Sequence, residues 1–257
     1  MQGLATIGKR IAGTALVAAL ALSNSSMTSS SALGWAAAEP PANPVRVTQA
    51  DIDETNRKAA GAFSALVSMW TNEFGRMGEE FATPRLARYR GVVRTACGVI
   101  APSNASYCPT SNTIYFDDVF VAVQAKAAGQ ALGTDGDMVA IGIIAHEMGH
   151  AVAMQLGYYS RRSYDNESVA DCLAGAFTKW ADRAGSIEDG DIEESFFGMA
   201  AAGDPTPQPT GDRWIDARNA ARIGRQAHGT REQRMQNFRD GLDGGPSACM
   251  PELQPKA

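Results

Sequence analysis

Residues 138–156 read MVAIGIIAHEMGHAVAMQL, an apolar run of helical length that includes His146, Glu147 and His150. Residues four apart lie on the same face of a helix, so the imidazoles of His146 and His150 can bind one metal ion. Glu147 follows the first histidine and can reach a water molecule bound to that metal. The pattern predicts a catalytic zinc site with Glu147 as general base.

A third ligand is required, because catalytic zinc normally has three protein ligands and one open position. Glu167 and Asp171 lie four residues apart, so a second helix would direct both carboxylates to one side. We predict Glu167 as the third ligand and Asp171 as the acceptor that orients a ligating histidine. Their Asn-Glu-x-x-x-Asp string resembles the second metal-binding helix of thermolysin-like zinc peptidases. The alternative is an acidic solvent-facing helix surface, but the apolar run after Asp171 favours burial.

Turn residues mark the ends of the two predicted helices. The first is expected to begin at Asp137 as N-cap and to end at Gly157. The second is expected to begin near Asn166 and to run toward Arg183. Antiparallel packing of this helix-loop-helix hairpin would bring the three ligands together.

The N-terminal segment has the features of a secretory signal. Lys9 and Arg10 precede the apolar residues 11–22, which are too few for a membrane span of about 20 residues. We predict that residues 1–38 are a signal peptide and a Ser/Ala-rich segment, with a cleavage site at residues 36–38. The alternative is an uncleaved membrane anchor. Residues 39–257 are predicted to form a single domain.

Charge argues against some classes of partner. The chain has a net charge of -5 and no basic cluster, so neither nucleic acid nor an anionic lipid surface is expected to bind. The signal predicts that the protein is secreted or located in the cell envelope, where a retained N-terminal segment would tether it to the membrane.

The cysteines of an exported protein are expected to form disulfides. The chain has four, at Cys97, Cys108, Cys172 and Cys249, and the sequence permits three pairings. Cys97 and Cys108 could close a short loop between two strands, and Cys172 would then pair with Cys249. Their spacing lacks the Cys-x-x-Cys pairs of structural zinc sites.

A helix and a small sheet are predicted before the zinc motif. Thr48 opens a Thr-x-x-Asp pattern and a long amphipathic stretch that ends at Gly75 and Gly78, whose aromatic residues are assigned to the core. Residues 91–100 and 113–116 have the composition of strands. Residues 112–116 are the candidate for an edge strand that pairs with an extended substrate, and an interior strand is the alternative.

These residues together resemble a bacterial family described as putative neutral zinc metallopeptidases. The resemblance extends from about residue 70 to residue 249 and rests on ACG at 96–98, YCP at 107–109, IYFD at 114–117, HEMGH at 146–150, Glu167 with ADCLAG at 170–175, GDIEE at 190–194 and HGTREQR at 228–234. It implies an α+β zinc-peptidase domain with a small sheet and a metal-binding helix pair. It also implies His146, His150 and Glu167 as zinc ligands, Glu147 as catalyst and Cys172 as half of a disulfide.

The sequence departs from the family pattern in three places. Ala151 and Met154 stand where more polar residues often follow the second histidine. Residues 206–211 form a Pro- and Thr-rich segment that we interpret as a surface loop. The residues Tyr-Asp-Asn precede Glu167, whereas an arginine-containing sequence precedes this glutamate in the family pattern. These departures affect substrate binding more than the ligand assignment.

His228 is the third histidine, and two interpretations are open. Residues 230–233 fit a capping box, so His228 could simply precede the last helix. Alternatively, its imidazole could bind the substrate carbonyl or the oxyanion, and we include it as a candidate catalytic residue.

The sequence therefore predicts a Zn²⁺-dependent endopeptidase that acts on peptide or protein substrates outside the cytoplasm. One alternative is a zinc-containing binding or accessory protein of the cell envelope with little or no turnover. Hydrolysis of a nonpeptide amide would use the same site. Two histidines and a carboxylate can also bind iron, but Glu147 and the helix pair favour zinc.

Overall fold

The computed structural model describes residue 41 and residues 43–204, 209–226 and 228–250. The predicted signal segment, residues 1–38, lies outside them, as does part of the predicted loop at 206–211. The elements in chain order are α1 (Gln49–Met77), β1 (Arg85–Tyr89), β2 (Val93–Thr95), β3 (Gly98–Ile100), β4 (Ala105–Cys108), β5 (Thr113–Asp117), α2 (Asp118–Leu132), α3 (Asp137–Gln155), α4 (Ser163–Arg183), α5 (Asp191–Ala201), α6 (Arg213–Gln226), α7 (Arg231–Gly244) and α8 (Pro246–Cys249). The fold class is α+β, as predicted.

Helix α1 begins at the capping box that the sequence indicates. The Thr48 side chain accepts a hydrogen bond from the backbone N–H of Asp51, whose side chain in turn accepts from the backbone N–H of Thr48. The helix ends at Gly78, which has a left-handed φ of 79°. Its apolar stripe is core rather than ligand-binding surface, as predicted, because Leu66 and Trp70 are buried.

The strands form two small sheets. In the three-stranded sheet, β5 lies in the centre, parallel to β1 and antiparallel to β4. The expectation that residues 112–116 form an edge strand is therefore wrong. Ile114 and Phe116 are almost fully buried, which fits an interior strand. The cleft-facing edge strand is β4, and the strand-like run at 91–100 is a separate hairpin of β2 and β3.

The predicted helix pair is present, with shifted boundaries. Helix α3 has Gly136 as its N-cap, and Asp137 is its first residue rather than the cap. Glu194 of α5 takes the capping role, because its carboxylate oxygens accept hydrogen bonds from the backbone N–H groups of Gly136 and Met138 at 2.8 and 2.9 Å. A carboxylate 56 residues away along the chain thus satisfies this helix end.

Glycines set how closely the central helices approach. A Cβ on Gly149 of α3 would lie 2.9 Å from the Cα of Ala170 in α4. Between α4 and α7, a Cβ on Gly175 would lie 2.0 Å from the carbonyl oxygen of Phe238, and one on Gly241 would lie 1.8 Å from that of Cys172. Larger residues would push these helices apart. Gly149 stands one residue before His150, so it sets the distance between the two helices that carry the predicted ligands.

Two disulfides link the described residues. Cys97 bonds to Cys108, which ties the β2–β3 hairpin to β4. Cys172 of α4 bonds to Cys249 of α8, which holds the end of the described chain against α4. Both pairings confirm the arrangement favoured from the sequence, and disulfides of this kind indicate an oxidising compartment. A helix long and apolar enough to cross a membrane does not occur in the part of the chain that the structure describes.

Candidate metal centre

A cleft of about 600 Å³ runs beside the His-Glu-x-x-His face of α3. Its walls come from β4, α2, α3, α4 and α5 and from the segment around His228. The predicted site residues that line it are His146, Glu147, His150, Glu167 and His228. The fold therefore gathers residues from distant parts of the chain into one cleft.

The three predicted ligands come together at the centre of this cleft. One potential ligand atom from each of His146, His150 and Glu167 lies within 4.8 Å of the others. Nε2 of His146 is 3.1 Å from Oε2 of Glu167, and Nε2 of His150 is 3.5 Å from Oε1 of the same carboxylate. The i, i+4 spacing on α3 places the two imidazoles side by side, and α4 brings the carboxylate opposite them.

The geometry fits a zinc ion. Tetrahedral bonds of 2.0–2.2 Å put neighbouring nitrogen and oxygen ligand atoms about 3.3–3.5 Å apart, close to the two separations observed. Oε2 of Glu167 is buried, and no group in the described residues donates to it with hydrogen-bond geometry. A buried carboxylate oxygen without a donor, 3.1 Å from an imidazole nitrogen, is an arrangement that a bound cation satisfies.

Asp171, the predicted acceptor, lies beside the first histidine. Its Oδ1 lies 2.9 Å from Nδ1 of His146, and its side chain is fully buried. An N–H at Nδ1 that donates to Asp171 leaves the lone pair of Nε2 directed at the cluster. This contact would favour the tautomer of His146 that can bind a metal.

Arg234 completes this network, and the sequence reasoning did not assign it a role. Its Nη2 and Nε donate to Oδ1 and Oδ2 of Asp171 at 2.6 and 3.1 Å, and its Nη1 donates to the carbonyl oxygen of Ala202 at 3.1 Å. Nη2 also lies 3.4 Å from Nδ1 of His146. Arg234 lies 63 residues beyond Asp171, and only its place in the HGTREQR string marked this segment.

Burial and neighbouring charges shift the pKa values of all three residues of the cluster. Burial lowers the pKa of His146, but the adjacent carboxylates of Asp171 and Glu167 outweigh it and raise the pKa to about 10. Burial and the neighbouring His146 lower the pKa of His150 to about 4. Burial raises the pKa of Glu167, but the imidazoles, first of all His146, bring it down to about 2. The carboxylates of Asp171 and Glu167 thus stabilise positive charge on His146.

Glu147 projects into the cleft beside the ligands. Its Oε2 accepts a 2.7 Å hydrogen bond from the backbone N–H of Tyr107 in β4, while Oε1 has no such donor in the described residues. Burial raises its pKa, as does the nearby charge of Glu167, while His146 lowers it. A carboxylate with a raised pKa is suited to accept and return a proton.

His228 lines the same cleft as the ligand cluster. Its Nδ1 is 3.5 Å from Oδ1 of Asp204, and 56% of its side chain is exposed. The backbone N–H groups of His228 and Gly229 donate to Oδ2 of Asp204, which fixes the segment. The predicted capping box at Thr230 and Gln233 is present in α7. The catalytic role of His228 stays a prediction.

A second group of acidic residues lies at the N-terminus of α3. Its members are Asp135, Asp137, Asp191 and Glu194. Nζ of Lys58 contacts Asp137 at 2.6 Å and Asp135 at 2.5 Å, and both oxygens of Glu194 accept backbone N–H groups. The cluster therefore anchors α1 and α5 to the start of α3.

Comparison with known proteins agrees with this geometry. The chain matches the family model described as "Putative neutral zinc metallopeptidase" over residues 15–166 and 159–251. The uncharacterized protein YpfJ of Escherichia coli K12 is 31% identical over 221 residues, which cover 76% of this chain and 72% of YpfJ. YpfJ of E. coli O6:H1 strain CFT073 gives the same values. No solved structure shows significant similarity. The extent of these matches shows that the chain belongs to the putative neutral zinc metallopeptidase family.

Proposed function

We propose that this protein is a zinc-dependent endopeptidase that hydrolyses peptide bonds outside the cytoplasm. The observation that carries the proposal is the position of Glu147, a buried carboxylate held by the Tyr107 N–H beside a three-ligand cluster in an open cleft. A purely structural zinc site has four protein ligands. The cluster found among the described residues has three, His146, His150 and Glu167.

The proposed chemistry assigns a task to each residue of the cluster. Zinc held by His146, His150 and Glu167 would acidify a water molecule and polarise the substrate carbonyl. Oε2 of Glu147 is engaged by Tyr107, so Oε1 is the atom that accepts the proton from the attacking water. The same oxygen then returns the proton to the departing amine. Asp171 keeps His146 in its ligating tautomer.

The peptide would bind by pairing with β4, the free edge of the three-stranded sheet. The Tyr107 N–H points to Glu147 in the cleft, whereas the carbonyl of Asn104 accepts from Asp117 on the β5 side. Alternation along the strand therefore turns the carbonyl oxygens of Ala105 and Tyr107 toward the cleft. These oxygens can accept N–H groups of an extended substrate that runs past the ligand cluster.

His228 is proposed to stabilise the oxyanion that develops on the substrate carbonyl. Its imidazole lines the same cleft as Glu147 and has the Asp204 carboxylate 3.5 Å from Nδ1. A proton on the ring nitrogen that faces the substrate would let His228 donate a hydrogen bond to this oxyanion. The half-exposed position leaves room for a substrate to approach.

The proposed location rests on two features. The disulfides require an oxidising compartment to form and persist, and the basic and apolar N-terminal residues have the pattern of an export signal. The proposed partners are peptide or protein substrates, with no role for nucleic acid. A retained N-terminal segment would tether the enzyme to the membrane.

The direct test is cleavage of a diverse peptide library by purified, oxidised, zinc-loaded protein, with products identified by mass spectrometry. Wild type and Glu80→Ala, a control at an exposed glutamate, should cleave the library. Glu147→Ala should bind zinc equally well and cleave nothing. Cleavage by Glu147→Ala would refute the assigned base. Zinc binding without cleavage by wild type would favour a binding or accessory protein instead.

A further inference from the structure

The Cys97–Cys108 disulfide ends one residue from the backbone group that holds Glu147. Cys108 is the last residue of β4 and follows Tyr107, whose N–H donates to Oε2 of Glu147 at 2.7 Å. Cys108 is almost fully buried, whereas Cys97 lies exposed at the turn of the β2–β3 hairpin. The bond therefore connects a solvent-exposed residue to the strand that positions the proposed general base.

Among the described strands, β4 has a partner on one side only. It pairs antiparallel with β5, where Cys108 lies opposite Thr113, while the Tyr107 N–H points away from β5 into the cleft. After Cys108 the chain leaves the sheet and enters a short 3-10 helix at Pro109–Ser111. The Tyr107 hydroxyl donates to Oδ1 of Asn112 at 3.0 Å, a contact within the same segment. An edge strand of this kind depends on a further restraint to hold its C-terminal end.

The β2–β3 hairpin supplies this restraint through the disulfide. The base of the hairpin is held at the end of β1, where the Tyr89 hydroxyl lies 2.9 Å from the carbonyl oxygens of both Ala101 and Asn104. Its turn is held by the disulfide, which keeps the Cα atoms of Cys97 and Cys108 5.7 Å apart. The C-terminal end of β4 is thus tied to a hairpin that is itself fixed at its base.

The second disulfide has a different relation to the site. Cys172 and Cys249 join α4 to α8, and they contact neither β4 nor the hairpin through this bond. The three predicted metal ligands lie on α3 and α4, which carry neither cysteine of the first disulfide. Opening the Cys97–Cys108 bond therefore affects the support of Glu147 and leaves the helices that carry the ligands cross-linked as before.

We propose that the Cys97–Cys108 disulfide positions the Tyr107 N–H on Glu147, so that reduction of this bond by a dithiol lowers turnover while the metal ligands stay in place. Reduction breaks the S–S bond and forms two cysteine thiols, and the dithiol supplies both electrons and both protons and becomes a disulfide. Once the restraint on β4 is lost, the Glu147 carboxylate loses its fixed donor. The inference rests on the proposed peptidase function, because it concerns the base of that same site.

The first measurement is the NMR chemical shift of the Tyr107 amide proton in the oxidised full-length protein, which needs no turnover. The charge-assisted bond to Glu147 moves this resonance downfield, and Glu147→Ala gives its position without the acceptor. In Cys97→Ala/Cys108→Ala, the resonance should move at least about half of the way to that position. The amide of Phe116, in the central strand β5, should keep its position. A Tyr107 resonance that stays in place would overturn the proposal.

A matched double variant separates this local effect from the general loss of a cross-link. Cys172→Ala/Cys249→Ala removes the other disulfide and should leave the Tyr107 resonance at its wild-type position. An equal displacement in both double variants would overturn the proposal, because the effect would then not be specific to β4. If Cys97→Ala/Cys108→Ala does not fold, the shift is measured on folded wild type reduced by dithiothreitol, and mass spectrometry of the alkylated cysteines identifies the opened bond.

Turnover and zinc affinity are measured on wild type before reduction, after reduction and after reoxidation. Dithiothreitol is removed under nitrogen and zinc is restored before each assay. With the Cys97–Cys108 bond open, kcat for a cleaved peptide should fall at least about tenfold and recover on reoxidation, since a general base contributes about 10²–10⁴-fold. Zinc affinity should change by less than about threefold, because the ligands and the Asp171 contact are untouched.

These outcomes separate the proposal from the function on which it rests. An unchanged kcat in the reduced protein, or a loss of zinc that accounts for the lower kcat, would overturn the proposal. If oxidised wild type cleaves no peptide, the proposed function fails, and the Tyr107 resonance alone then decides whether the disulfide positions this group.

Discussion

Replacing Arg234 with methionine is expected to lower the free energy of unfolding by about 3–5 kcal/mol. The Arg234 side chain is 7% exposed and that of Asp171 is fully buried, so the pair is shielded from water. Methionine fills much of the same volume but removes both hydrogen bonds to Asp171 and the one to the carbonyl of Ala202. The Asp171 carboxylate would then be buried with only the Nδ1–H of His146 as a partner.

The assay is urea unfolding in the presence of a chelator, which separates the stability of the fold from the contribution of bound zinc. Arg218→Met, at an exposed arginine of α6, serves as the matched control and should change the free energy by less than about 0.5 kcal/mol. Zinc affinity, measured by competition with a chelator of known affinity, should fall about 10–100-fold in Arg234→Met, because His146 loses its fixed orientation.

A double-mutant cycle tests whether the loss originates at the carboxylate. In an Asp171→Asn background the buried charge is absent, so Arg234→Met should lower stability by about 1–2 kcal/mol less than it does in the wild type. A loss below about 1 kcal/mol for Arg234→Met in the wild-type background, or an additive cycle, would refute the reasoning.

Further predictions address the helix spacing, the disulfide, His228 and the metal. Gly149→Ala should lower stability by about 1–3 kcal/mol and weaken zinc binding, because its methyl would lie 2.9 Å from the α4 backbone. The control Gly61→Ala, where the methyl has nothing within 4 Å, should stabilise the protein by about 0.5–1 kcal/mol. Equal urea midpoints for the two variants would contradict this. Replacing Cys97 and Cys108 together with alanine opens a loop of 11 residues and should lower stability by about 3 kcal/mol in urea titrations; a loss below 1 kcal/mol would be inconsistent with a stabilising bond. His228→Ala should retain zinc but lower turnover in a peptide-cleavage assay, and unchanged turnover would leave the histidine a structural role only. Removing zinc should lower the melting temperature, and zinc should restore it in a concentration-dependent manner; no shift at saturating zinc would argue against a site in the folded protein.

Local sequence spacing accounts for much of the candidate site. The positions of His146 and His150 four residues apart, and of Glu167 and Asp171 four residues apart, are properties of single helices and need no knowledge of the fold. The capping box at Thr48 is local in the same way and correctly places the start of α1. Such features are readable because helix geometry relates residues within one or two turns.

Two sequence predictions, the edge strand at 112–116 and the N-cap at Asp137, were wrong because contacts between distant segments decide these features. Residues 113–117 have the apolar composition of a strand, but only pairing with both β1 and β4 makes β5 central and leaves β4 as the edge. Likewise, Asp137 has the chemistry of an N-cap, yet Glu194 occupies that role from another helix. Neither partner is related to its target by a fixed spacing.

The sequence by itself determined the chemistry available to this protein: the donor set for a divalent metal, the adjacent base, the helix pair and cysteines suited to an oxidising compartment. Only the tertiary structure decided which long-range partners complete that chemistry. Arg234 neutralises Asp171 from 63 residues away, and the Tyr107 N–H positions Glu147 from 40 residues away. The physical reason is that hydrogen bonds and burial depend on distance in space, whereas sequence periodicity reports distance along one helix or strand.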